Sequence, residues 1–109
     1  MDWETLNTAE TFEAAMNASD DHPVVLFKHS TRCSISRMAL KMTRNKWDLP
    51  PSVHPYLLDL LAHRDVSQLI AEQLNVQHES PQLLLIQNGK CIHHASHDRI
   101  DASALKAYL

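Results

Sequence analysis

Three rhythms of apolar and polar positions run along the chain. Between residues 8 and 18, Ala9, Phe12, Ala15 and Met16 recur at helical spacing, and Asn7 or Thr8 can cap the start. After Pro23 the pattern becomes continuous: Val24 to Phe27 ("VVLF") suits a strand buried on both faces. From Ile35 the period changes again, with Ile35, Met38, Ala39 and Met42 at i, i+3, i+4 and i+7, the spacing of an amphipathic helix. Lys41, Arg44 and Lys46 gather toward its C-terminus, where the helix dipole favours cations. "DLPPS" is a loop, and "PYLLDLLA" reads as a second strand, although its periodicity also allows a helix. Asp65 and Gln68 resemble a capping box ahead of Val66, Leu69, Ile70 and Leu74 on one helical face, and Asn75 can close that helix in a left-handed conformation. "QLLLIQ", Asn88-Gly89 and "KCIHHAS" form a hairpin on a type I′ turn. Asp101 then caps a last helix through Leu109, with Leu105, Tyr108 and Ala102 turned inward.

Two strands joined through a helix are expected to be parallel by a right-handed crossover, and the hairpin adds an antiparallel pair. The predicted architecture is α/β: a four-stranded mixed sheet with helices on both faces, the thioredoxin-like fold, as one domain over residues 1–109. The 109 residues, 44% apolar with one glycine and five prolines, are enough for a single core and carry no low-complexity segment. A net charge of −3 offers no electrostatic case for nucleic acid or an anionic membrane, and no apolar run approaches a membrane span. "MDWETLNTAE" lacks a basic and then apolar leader, so a cytoplasmic location is expected, with Cys33 and Cys91 as reduced thiols.

In this arrangement "FKHSTRCSISRMAL" places Cys33 where a buried strand ends and a helix begins. A thiol there faces unpaired backbone N–H groups and the positive end of the helix dipole, both of which favour the thiolate. Lys28, His29 and Arg32 add positive charge nearby, and Lys28 and Arg32 are candidate substrate contacts. The motif is C-x-x-S, so the Ser36 hydroxyl can donate to the thiolate but cannot resolve a mixed disulfide. The competing reading of Cys33 is a small buried hydrophobe at a strand–helix corner.

"FKHSTRCSIS", "HESPQLLLI", "NGK" and "SHDRI", in that order and spacing, resemble the YtxJ-like monothiol bacilliredoxins of the thioredoxin-like superfamily. The resemblance covers nearly the whole chain. It implies removal of bacillithiol from protein mixed disulfides, with Cys33 as the nucleophile. It also implies a cis proline at Pro81 facing the active-site turn, where an X-Pro bond is ordinarily trans. The backbone of Ser80 would then offer hydrogen bonds to an extended substrate. Ser34 stands where that family commonly has proline. In glutaredoxins, which share the fold, the corner corresponding to Ser96 and His97 binds the carboxylates of the small thiol. Ser96 and His97 can do so here, or the corner can be a plain Asp101 helix cap.

Cys91 is the obvious resolving thiol, but geometry argues against it. If Pro81 lies by the active site, seven residues at about 3.3 Å each carry the chain roughly 20 Å away before Cys91 is reached. A disulfide needs Cα atoms within about 7 Å. Eight histidines invite a metal, yet His93 and His97 on a strand stand about 13 Å apart, and Cys91 with His93 supplies two ligands, which is not a site.

The expected function is a monothiol thiol-disulfide oxidoreductase. Its co-substrate would be a low-molecular-weight thiol, bacillithiol or glutathione, and no tightly bound cofactor is expected. Its partners would be S-thiolated proteins, with a second small thiol or an upstream disulfide reductase clearing the adduct. Two other classes compete. "CSIS" with "SPQL" is also similar to the C-x-F-S monothiol glutaredoxins that carry an iron–sulfur cluster between subunits, although the glycine after the cysteine is missing. A thioredoxin-like interaction protein without redox chemistry is the third.

Overall fold

The computed structural model describes residues 2–109. In chain order it contains β1 (Glu4–Thr5), α1 (Ala9–Ala18), β2 (Val24–His29), α2 (Ser34–Asn45), β3 (His54–Asp59), α3 (Arg64–Leu74), β4 (Gln82–Gln87) and β5 (Lys90–Ser96). Two 3₁₀ segments, His97–Arg99 and Ala102–Tyr108, close the chain. The sheet is mixed, in the order β1-β3-β2-β4-β5, with β1 and β2 parallel to β3 and with β2–β4 and β4–β5 antiparallel. The expected fold is therefore present with five strands instead of four. The missed strand is two exposed residues long, so no apolar run announces it, and Leu6 beside it is what enters the core.

Alternation along β2 divides the interior into two cores. Val24 and Leu26 pack with Phe12 and Ala15 of α1 and Val66 and Ile70 of α3. Val25 and Phe27 point the other way, onto Leu40 of α2 and Leu105 of the last 3₁₀ segment. Each face of the sheet is thus covered, which is why all six residues of β2 are buried and its sequence reads as an unbroken apolar run.

Local chemistry sets the ends of the elements. Thr8 caps α1 by accepting the Thr11 N–H, and Asn75 ends α3 at φ 54°. Asn88 and Gly89 both take positive φ, as the tight β4–β5 turn requires. Asp101 caps the last segment through the Ser103 N–H, although that segment is 3₁₀ and not α. The Asp65–Gln68 capping box does not form. His63 is the N-cap residue of α3, Asp65 sits inside the first turn, and Gln68 bonds Glu72. Tyr108 is exposed and stacks on His93 instead of entering the core.

Helix α2 departs most from the amphipathic expectation. It buries Ser36, Leu40 and Thr43, while Ile35, Met38 and Met42 are 60%, 59% and 44% exposed. The apolar stripe in its sequence does not face the core. Among the described residues no helix is long and apolar enough to cross a membrane.

Candidate active site

β2 ends at His29, and four residues later Cys33 takes the N-cap position of α2 in extended backbone, φ −104° and ψ 123°. Its thiol is free and half-buried, and it makes no capping hydrogen bond. An N-cap side chain lies at the open end of the helix, where the first-turn N–H groups have no intrahelical acceptor. A negative charge developing on Cys33 Sγ would meet those N–H groups and the dipole end.

Ser36, the other end of the motif, is fully buried. Its Oγ accepts the Ser30 N–H at 2.9 Å and lies 2.7 Å from His29 Nδ1. Burial lowers the His29 pKa, and Arg44 and Arg37 lower it further against the opposing pull of Asp59. The ring contact and the Ser30 N–H both engage the hydroxyl oxygen within the turn, whichever tautomer the neutral ring adopts. These bonds give Ser36 a structural part that the sequence does not announce: it holds the β2–α2 turn that presents Cys33. Ser36→Ala should cost about 1–3 kcal/mol, the penalty for a buried N–H and a ring nitrogen left without partners. Denaturant titration would show it, and an unchanged midpoint would remove this structural role.

Lys28 is not at the mouth of the site. The strand continues through residue 28, and the period of two turns Lys28 to the α3 side while His29 faces α2. The lysine is 0% exposed, and its Nζ reaches Ser67 O and His78 Nδ1, both at 3.2 Å. Burial pulls its pKa down to about 8. It therefore makes no surface contact with a substrate, contrary to the expectation from sequence.

Arg32 is exposed and lines, with Cys33, Ser30, Asp59, Ala62 and Arg64, an open cleft of about 490 Å³. Arg64 was absent from the sequence-based candidates. It lies 31 positions along the chain from Cys33, and only the parallel β2–β3 pairing brings their loops together. Its position as the first residue of a helix that follows the strand beside β2 was the one available signal.

The Ser80–Pro81 peptide is cis. Ser80 Oγ is buried without a hydrogen-bond partner, and Pro81 O accepts the His97 N–H at 3.0 Å. Ser96 is buried and pairs with Gln82, the residue after Pro81. The sheet thus brings Ser80, Pro81, Ser96 and His97 to one corner. His97 is exposed, holds a left-handed φ of 55°, and lines a groove that also contains Ser34 and Ile35, the two residues after Cys33. Cys91 pairs with Ile86 toward the hairpin end of β5, away from Ser96. It packs against the α1/α3 core with its thiol donating to His93 O, and burial raises its pKa.

A thioredoxin-type sheet with a solitary half-buried cysteine at the head of α2, and serine in the second motif position, defines the chain as a thioredoxin-fold protein of monothiol type. The comparisons agree. The model of the monothiol bacilliredoxin BrxC family matches residues 4–105, and this chain belongs to that family. A solved structure described by its thioredoxin fold is 31% identical, with a TM-score of 0.81 over 95% of this chain and 90% of the other. The thioredoxin Mala s 13 of Malassezia sympodialis superposes with a TM-score of 0.75 at 19% identity, over 98% of this chain and 87% of its own. Fasciola hepatica thioredoxin gives 0.72 at 18% identity, over 96% and 94%. These last two likenesses concern the fold alone.

Proposed function

We propose that this chain acts as a YtxJ-like monothiol bacilliredoxin, taking a low-molecular-weight thiol from protein mixed disulfides through Cys33. The Cys33 thiolate attacks the small thiol's sulfur in the protein mixed disulfide. The S–S bond breaks, the protein sulfur leaves as a thiolate and takes a proton from water, and Cys33 keeps the small thiol as a new disulfide. A second small thiol then attacks that adduct, which frees Cys33 and leaves with the first as a symmetrical disulfide. The observation that carries this reading is the pairing of an accessible Cys33 at a helix N-terminus with a buried, oxygen-bearing Ser36. The first can be a nucleophile, and the second cannot be a resolving thiol.

Arg32 and Arg64 suit the anionic groups of a carboxylate-bearing small thiol held in the cleft beside Cys33, with Ser96 and His97 as the alternative anchor. Arg64→Ala should raise KM for the small thiol about tenfold with little change in kcat, the loss of one charge-assisted contact. An unchanged KM would move the anchor to Ser96 and His97.

The reaction itself is tested by intact mass after exposure to oxidised bacillithiol and, separately, oxidised glutathione. A single adduct on Cys33 with one of them supports the reading and names the co-substrate. A protein that takes neither is not a thioltransferase.

A further inference from the structure

Two buried polar side chains that the exchange chemistry does not use converge on one loop. Lys28 and Gln82 are Cα partners across the antiparallel β2–β4 pair, 0% and 1% exposed. Lys28 Nζ lies 3.2 Å from both Ser67 O and His78 Nδ1, and Ser67 Oγ is 3.1 Å from the same ring nitrogen. Gln82 Nε2 donates to Gln77 O at 3.0 Å. Burial lowers the His78 pKa, and Lys28 and Arg64 lower it further against the opposing pull of Glu79. The neutral ring can therefore accept at Nδ1, which suits an ammonium that has only donors to offer.

The loop that these side chains meet has little else to hold it. Gln77, His78 and Glu79 are exposed, and among the described residues no backbone–backbone hydrogen bond involves residues 77–80. The loop ends in the cis Ser80–Pro81 peptide, where Pro81 O accepts the His97 N–H. Pairing of Lys28 with Gln82 sets Pro81 alongside the end of β2, from which the chain turns to Cys33. Apolar side chains at 28 and 82 would fill the same space without desolvating an ammonium, so core packing does not account for a lysine there.

We infer that Lys28 is a positioning residue for thiol exchange: through His78, and with Gln82 as a second tie, it holds loop 77–81 in the shape that receives the polypeptide half of the mixed disulfide. This deepens the thiol-exchange reading and rests on it for the identity of the substrate. A loop already held in its bound shape does not have to be ordered when the substrate arrives. The effect therefore falls on substrate binding and not on the chemistry at Cys33.

The test uses the full chain and first reads the loop itself. In NMR relaxation the backbone of residues 77–80 should have order parameters of about 0.85 in the parent and below about 0.6 in Lys28→Met and His78→Ala. Single-turnover transfer to Cys33 from peptides blocked with bacillithiol or with glutathione, followed by intact mass, then gives a maximal rate and a half-saturating peptide concentration. Both variants should raise that concentration about tenfold and leave the maximal rate within about twofold. The double variant should be no worse than either single one, because each removes the same contact. His78→Asn, whose amide oxygen can replace Nδ1 as the acceptor, should recover most of the loss. Alkylation of Cys33 by iodoacetamide, which needs no loop, should proceed at the parent rate in all of them. His78 is exposed, so its variants keep the test open if Lys28→Met does not fold. Unchanged order parameters, unchanged half-saturation or additive effects would overturn the assignment. Slowed alkylation would do so too, since Lys28 would then act on the thiol. A parent that takes neither thiol on Cys33 fails the thiol-exchange reading, while the order parameters still decide whether Lys28 holds the loop.

Discussion

Once excess small thiol is removed, the adduct on Cys33 should persist for minutes to hours, the timescale of uncatalysed disulfide rearrangement. No internal thiol is placed to attack it. Position 36 carries a hydroxyl committed to His29 and Ser30, and Cys91 sits toward the hairpin end of β5 with its thiol on the opposite core. Cys33→Ser should therefore lose turnover by three orders of magnitude or more, to about the uncatalysed rate, while Cys91→Ala should turn over like the parent. Turnover should rise with external thiol concentration, because each cycle needs a thiol from outside. Ser36→Cys should release the adduct unaided, since N-cap and N3 side chains of one helix are neighbours. Mass spectrometry of the adduct against time separates these cases. Spontaneous loss from the parent protein with formation of a Cys33–Cys91 disulfide would make this a dithiol enzyme and contradict the placement of Cys91.

Lys28→Met should raise stability near neutral pH, by up to about 3 kcal/mol. Lys28 holds a pKa of about 8 against its ordinary 10.5 because burial strips water from the ammonium. A base with a depressed value in the folded state is deprotonated there while the unfolded chain still holds its proton. Between pH 8 and 10.5 the unfolded state therefore binds more protons, and parent stability should rise with pH through that window. Below pH 8 both states are charged and the full cost of burying the cation is present, about 3 kcal/mol at 1.36 kcal/mol per unit. Methionine fills the same space without that cost, and exposed His78 can turn its ring nitrogen to water. Urea titrations of both proteins should show a gap that is widest near pH 7 and closes by about pH 10.5. A less stable variant at pH 7 would mean that the bonds to Ser67 O and His78 outweigh desolvation.

Much of the fold was legible because the chain announces it locally. The all-buried β2 run, the Asn88-Gly89 turn, the Asn75 terminus and the Asp101 cap are decided by side chains acting on their own backbone. The helix that begins after Cys33 was legible from the change of period, and with it the thiol's place at a helix start. What failed were inferences about direction. Lys28 is near the thiol in sequence, but β2 runs two residues past Phe27 and its period sends Lys28 to the other side of the sheet. Ile35, Met38 and Met42 carry the spacing of a core stripe, yet the core takes the adjacent face of α2 through Leu40 and two small polar residues.

The sequence by itself determined the order of elements from α1 onward, the boundary at which Cys33 sits and the absence of a second sulfur at position 36, since these follow from local periodicity and residue identity. Only the tertiary structure decided which face of α2 meets the core, which side of the sheet receives Lys28, and that Arg64 joins Arg32 beside the thiol. The physical reason is that helical and strand periods state only that a face is distinct. What that face meets depends on strand pairing between residues far apart in the chain, and that pairing is paid for by the whole core at once.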